Sequence, residues 1–162
     1  MGSSTPGLTE DGRTEAREAA VRLLEATLSL MDAPPVALCL ICRRLDIDVY
    51  ARPCSAFGAI LVEAKGRRIM LVNSSASLER ARFSMAHELG HFLLRHRATR
   101  QPPMALDERQ ERQADCFAAE LLMPASLLSA EKSGMTALCR RYRVSRQAMT
   151  FRLRSLGLTA SR

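Results

Sequence analysis

The chain has 162 residues and a formal net charge of +7, with 47% apolar side chains. That length suits one domain of ordinary size with a real core, and the longest apolar runs are far too short to cross a bilayer. The positive residues are mostly arginines spread along the whole chain without a basic block, so charge alone is weak ground for a nucleic-acid partner. Five cysteines, Cys39, Cys42, Cys54, Cys116 and Cys139, are an odd number, and the N-terminus lacks the pattern of a secretory signal. The chain therefore reads as cytoplasmic and reduced. Cys39-Leu40-Ile41-Cys42 has redox or zinc spacing, but it has no second pair and sits in an apolar helical stretch, which favours buried structural thiols.

Residues 1–12 are rich in Ser, Thr, Pro and Gly and read as a disordered tail outside the fold. From Thr14 to Met31, apolar positions such as Ala20, Leu23 and Leu24 recur among charges, predicting an amphipathic helix that stops before Pro34-Pro35. Val36 to Leu45 predicts a second. Asp46 to Tyr50 alternates as a strand, Phe57 to Glu63 reads as another, Ala64-Lys65-Gly66-Arg67 as a hairpin turn and Arg68 to Val72 as its return strand, together a small antiparallel sheet. Asn73, Ser74, Ser75 and Ser77 offer caps for the helix that follows.

That helix carries Arg82-Phe83-Ser84-Met85-Ala86-His87-Glu88-Leu89-Gly90-His91. Histidines four apart on a helix project from one face, the separation at which two imidazoles grip one tetrahedral zinc ion. Glu88 follows the first of them, where a carboxylate takes a proton from water at the metal, so it is the candidate general base. The competing interpretation is a packing helix with two incidental histidines. Against it, all three histidines of the chain lie between 87 and 96. Gly90 leaves room for a close neighbour, at some cost in helix propensity. His96 does not make a metzincin motif, since Leu94 and Arg97 stand where that motif has glycine and histidine.

Arg97 to Leu106, with Pro102-Pro103, reads as a loop. A further helix starts near Asp107 and ends at Met123-Pro124. Glu111 and Asp115 lie one turn apart on it, the arrangement of a glutamate zincin: one carboxylate completes the metal shell and the next fixes the tautomer of a ligand histidine. Glu108, at the helix start, and Glu120, further round the helix, compete for the ligand role. An exposed helix laced with charge, with Arg109 and Arg112 alongside, is the plainer alternative.

These two stretches, the second running Glu111-Arg112-Gln113-Ala114-Asp115-Cys116-Phe117-Ala118-Ala119-Glu120-Leu121-Leu122-Met123-Pro124, resemble the ImmA/IrrE family of zinc metallopeptidases from about Val36 to the C-terminus. The resemblance implies Zn2+ on His87, His91 and Glu111, and Glu88 as catalytic acid/base. It also implies a protein substrate, a helix-turn-helix transcriptional repressor cut to relieve repression in a stress or mobile-element response. Long members carry a further ligand-sensing domain, for which this chain is too short.

After Pro124, a short helix from Met135, a turn through Arg143-Val144, Ser145 as N-cap, a second helix and Gly157 as its stop form a helix-turn-helix pattern. Arg146, Gln147 and Thr150 stand where DNA-binding versions read bases. Packing on the peptidase core through Leu138, Val144, Ala148, Phe151 and Leu153 is the favoured role, and DNA the second candidate partner.

The expected architecture is α+β: a zincin-like helical core with a small antiparallel sheet, then a helix-turn-helix-like pair. It divides into a tail (1–12), a metallopeptidase domain (13–130) and the C-terminal segment (131–162). The expected activity is that of a gluzincin-like zinc metalloendopeptidase, with Asp115 orienting a ligand and Tyr50, Tyr142 or an arginine facing the oxyanion. The alternative is a zinc-stabilised DNA-binding regulator.

Overall fold

In the computed structural model, which describes residues 9–27, 33–96 and 108–160, the chain runs α1 (Glu10–Thr27), α2 (Leu38–Arg44), β1 (Ile47–Arg52), β2 (Ala59–Ala64), β3 (Arg67–Asn73), α3 (Leu78–Leu93), α4 (Glu108–Leu122), α5 (Ala125–Leu128), α6 (Met135–Tyr142) and α7 (Arg146–Ser155). The α+β class is as expected. The loop 97–106, the expected helix start at Asp107, and the end of the first predicted helix past Thr27 fall outside the described residues.

The first helix starts four residues before the expected Thr14, so Glu10 to Gly12 are helical and not part of a disordered tail. Local chemistry accounts for it. Thr9 Oγ1 accepts the Gly12 N–H at 3.3 Å, and Glu10 and Asp11 place negative charge at the positive end of the helix. Gly12 is buried and its carbonyl accepts from Gln113 Nε2 of α4 at 3.4 Å, so a residue type that signals disorder serves here as a close packing point.

The sheet has the order β1-β3-β2. β2 and β3 form the expected hairpin, and Lys65 and Gly66, at φ 52 and 74, give the left-handed pair that a two-residue turn of this kind requires. β1, however, pairs parallel to β3, so the sheet is mixed where an antiparallel one was expected. The segment between β1 and β2 carries the chain across the sheet, and β3 returns into the gap between the two. Antiparallel to β2, it is parallel to β1. The central place goes to the strand holding buried Met70 and Val72.

α3 lies between the sheet on one side and α4 on the other, and α4 is flanked in turn by α1. The core runs through these elements: Ile41, Met70, Leu89, Phe117, Leu121 and Leu122 are all fully buried, each contributing about 1.5–3 kcal/mol of apolar burial. Gly90 sets the distance between the two long helices. A Cβ there would meet Ala114 Cα and Phe117 Cδ1 at 3.1 Å, so the missing side chain lets the α4 backbone lie against α3.

At the C-terminal end, α6 stops at Arg143 in the left-handed conformation, Ser145 caps α7 by accepting from Ala148 N, and Gly157 follows at φ 67. Arg152 of α7 is buried and donates to the Met123 carbonyl at 2.9 Å and to Glu120, whose other oxygen accepts Ala125 N at 2.9 Å. One ion pair thus joins α7 to the end of α4.

Candidate metal centre

Ser77 caps α3 by accepting from Arg80 N at 3.3 Å, and the helix then places His87 and His91 one turn apart, their Nε2 atoms 2.8 Å from each other. Glu111, brought over by the close α3–α4 approach, puts its two carboxylate oxygens 3.3 Å from His87 Nε2 and 3.5 Å from His91 Nε2. One donor atom from each of the three lies within 4.8 Å of the others.

The far side of each imidazole is also held. His87 Nδ1 lies 2.8 Å from Asp115 Oδ1; since the carboxylate only accepts, the proton sits on Nδ1 and Nε2 presents its lone pair inward. His91 Nδ1 lies 2.9 Å from His96 Nδ1. His96 reaches it because Arg95 turns left-handed (φ 55) and His96 N bonds back to the His91 carbonyl at 2.9 Å. Sequence reasoning treated His96 only as a rejected metal ligand and missed this contact. The signal available was the clustering of every histidine of the chain within ten residues. Behind His96, Gln113 hydrogen-bonds it and donates to Glu15 of α1 at 3.1 Å.

The electrostatics follow from this arrangement. Burial first, then the neighbouring His87 and His96, push His91 down to about 4, so its ring is neutral and able to ligate. For His87 burial works downward too, but the Asp115 hydrogen bond and the charges of Asp115, Glu111 and Glu88 outweigh it and the net shift is upward. Three inward-facing electron-pair donors within a few ångströms, one of them a carboxylate, have no positive group between them. That donor set and its spacing suit a zinc ion.

Glu88 points toward β2, where Oε2 accepts the Leu61 N–H at 3.1 Å. Among the described residues β2 is an edge strand whose other side faces β3, and its free edge lies along the metal helix. Gly58 permits the approach, since a Cβ there would fall 2.2 Å from Ser84 Oγ of α3. Burial raises the Glu88 pKa, with Glu111 adding to it and the Leu61 hydrogen bond and His87 opposing it. A small cleft of about 290 Å³, lined by Gly58, Ala59, Phe83, Ser84, His87, Glu88 and Asp115, opens over these groups.

The other sequence candidates lie elsewhere. Glu120 is buried and paired with Arg152, and Glu108 pairs with Arg112 on an exposed helix face. Neither joins the histidines. Tyr142 is buried with its hydroxyl on Glu131, and Tyr50 sits exposed on β1, the opposite edge of the sheet. Neither tyrosine lines the small cleft. The five cysteines are free, with Cys42 buried and its thiol pushed up to about 12 by burial, while Cys39 is exposed where a buried thiol was expected. Among the described residues no helix is long and apolar enough to cross a membrane.

A sheet edge laid along a helix that carries two histidines, closed by a carboxylate from the next helix, is the frame of a peptidase-like α+β domain. Residues 42–154 match the family described as IrrE N-terminal-like domain (Peptidase_M78), and the chain belongs to that family. Its fold is similar to that of a Mycobacterium tuberculosis transcriptional regulator at a TM-score of 0.58 and 16% identity, over 91% of this chain and 52% of that one. The chain thus spans about half the length of that structure. No curated protein matches.

Proposed function

We propose that the protein is a zinc-dependent endopeptidase of regulatory purpose, cutting a helix-turn-helix transcriptional repressor. The observation that carries the activity is the convergence of His87, His91 and Glu111 within 4.8 Å, with Glu88 next to His87 in the lining of the small cleft. The substrate follows from the family resemblance, and the name of the Mycobacterium tuberculosis neighbour, a transcriptional regulator, is compatible with it. The reading includes a catalytic unit of residues 13–130 with residues 131–162 docked on it, and a reducing, cytoplasmic setting that suits five free thiols.

His87 and His91 through Nε2 and Glu111 through a carboxylate oxygen are the groups that would hold the ion. When bound, zinc supplies a Lewis acid that lowers the pKa of water and polarises a scissile carbonyl. Glu88 takes the proton of the attacking water on a carboxylate oxygen and returns it to the leaving amine nitrogen. Burial raises its pKa above the ordinary carboxylate value, which strengthens it as a proton acceptor. Asp115 keeps the His87 proton on Nδ1, and His96 fixes the plane of His91. The open edge of β2 offers main-chain groups to an extended peptide, so a repressor would present an exposed or locally unfolded segment.

The test incubates wild type and Glu88→Gln with helix-turn-helix repressors encoded near this chain, with zinc, and reads cleavage by mass spectrometry. One discrete cut by wild type alone, with equal zinc content in both proteins, is the expected result. Intact activity in fully loaded Glu88→Gln would remove the assigned base. If no repressor is cut and the full chain binds an operator duplex tightly and specifically, the zinc-stabilised DNA-binding regulator becomes the better account.

A further inference from the structure

Beside the small cleft lies a far larger one, of about 830 Å³, and the two share Phe83 and Asp115 as a common wall. Its size is at the upper end of the roughly 300–1,000 Å³ of ordinary ligand sites. One wall is the start of α3, with Ser77 and Arg80; the second is α4, with Ala119; the third is α7, with Gln147, Ala148 and Phe151. The side of α7 that carries Gln147, Ala148 and Phe151 looks across this cleft at the metal helix, while Arg146 and Thr150, the other two positions of a base-reading face, do not line it.

The lining has a definite chemistry. Phe83, Ala119, Met123, Val144, Ala148 and Phe151 make an apolar interior, and Phe151 is 62% exposed, a large aromatic ring left at the mouth. Arg13 and Arg80 are exposed at the rim; of the two acids there, Asp115 is already engaged by His87, and Glu79 stands in the first turn of α3 beside Arg80. The Phe83 ring centroid lies 6.5 Å from that of His87, so a side chain in the cleft belongs to a residue close in sequence to a bond held at the metal centre.

We propose that this cleft is the specificity pocket of the peptidase, taking a large apolar side chain of the substrate with an acidic residue beside it on the arginine rim. The C-terminal helix pair then reads peptide, with α7 as one jaw. The assignment rests on the peptidase reading for its biological meaning, but binding can be measured without catalysis.

The probe is a short fluorescein-labelled peptide containing Leu-Phe flanked by Glu, with two relatives in which Phe becomes Ala or the glutamates become Lys. Anisotropy titrations use the full-length Glu88→Gln protein loaded with zinc. The first peptide should bind at least about 10-fold more tightly than either relative, the scale of one large apolar side chain in a fitted pocket. Ala148→Trp, which fills the cleft, should abolish the preference for Phe, and Arg80→Glu at the exposed rim the preference for Glu. Phe151→Ala provides a second apolar probe should Ala148→Trp fail to fold.

Equal binding of the three peptides, or preferences that survive these substitutions, would overturn the pocket. A labelled DNA duplex in the same assay distinguishes the other macromolecule: salt-sensitive duplex binding weakened by Arg80→Glu, with peptide binding unmoved, also overturns it. Adding wild type separates the two proposals. Predicted peptide preferences without cleavage leave the pocket standing and remove the peptidase, whereas cleavage that ignores Ala148→Trp, Phe151→Ala and Arg80→Glu does the reverse.

Discussion

α4 carries two glutamates with opposite fates. Glu120, near its C-terminal end, is buried and saturated by protein groups: Arg152 on one oxygen and the Ala125 N–H on the other. Glu111, two and a half turns earlier, is 44% exposed at the side chain and faces the Nε2 atoms of His87 and His91, the latter on a ring that burial and its histidine neighbours keep neutral. A buried carboxylate whose countercharge is built into the chain holds structure together. A carboxylate surrounded by lone pairs is incomplete until a cation arrives. The same residue type on the same helix is therefore structural at one end and poised for a ligand at the other.

The sharpest way to break this comparison is to remove a donor at the open end. His87→Ala or Glu111→Ala is expected to cut zinc affinity by roughly a thousandfold or more, beyond the 10–100-fold that orienting partners contribute. Competition titration against a chelator measures it. Melting of the metal-free protein should barely change, because these side chains have no other partner that the core needs. Chelating zinc from the wild type should lower stability by about 4 kcal/mol if zinc had stood at a thousand times its Kd. Zinc affinity unchanged in Glu111→Ala would move the third ligand elsewhere.

At the closed end the expected pattern inverts. Arg152→Ala leaves Glu120 buried without its countercharge and should cost about 3–5 kcal/mol, a fall of roughly 10 °C in Tm, with zinc content per folded molecule unchanged. The paired replacement Glu120→Gln with Arg152→Met keeps an acceptor for Ala125 N–H and removes both charges, and should recover most of that loss in urea unfolding. A smaller effect is expected between the two ends. Asp115→Asn should weaken zinc about 10–100-fold while leaving the melting temperature in place, since Asp115 is 57% exposed and packs on nothing essential.

What could be read from the sequence divides along the same line. His87, Glu88, His91, Glu111 and Asp115 could be named because helical spacing is local: four residues always return to one face, whatever the tertiary fold. Gly90 was legible as a contact point for the same reason, and Ser77 and Ser145 as caps. Groups that meet across the fold were not. The Glu120–Arg152 pair joins residues 32 apart, and nothing in the local pattern of either announces the other. His96 escaped because its contact with His91 depends on a left-handed turn at Arg95, a residue type that gives no such signal. The parallel pairing of β1 escaped because in-order adjacency is the natural default for short strands, and only the insertion of β3 between β1 and its sequence neighbour β2 overrides it. The helix start at Glu10 was hidden by composition, since glycine and threonine weigh toward disorder until a packing partner is known.

The smallest expected effect is at the closed end and concerns pH. Tyr142 is fully buried and its hydroxyl faces Glu131, which also pairs with Arg141. Burial, then the Glu131 charge, push its pKa from 10 up to about 12. The folded state therefore favours the protonated phenol more than the unfolded chain does. The resulting stability is fully present below about pH 10, where both states are protonated, and is lost as pH rises through about 12. Tyr142→Phe has no proton to lose. Urea unfolding of both proteins at pH 8 and pH 11 should show wild type losing more stability over that interval than the variant, with zinc affinity equal at pH 8. Parallel losses would mean that the phenol titrates alike in the folded and unfolded chains, and that the C-terminal pair is less firmly buried against the end of α4 than the Arg152 contact indicates.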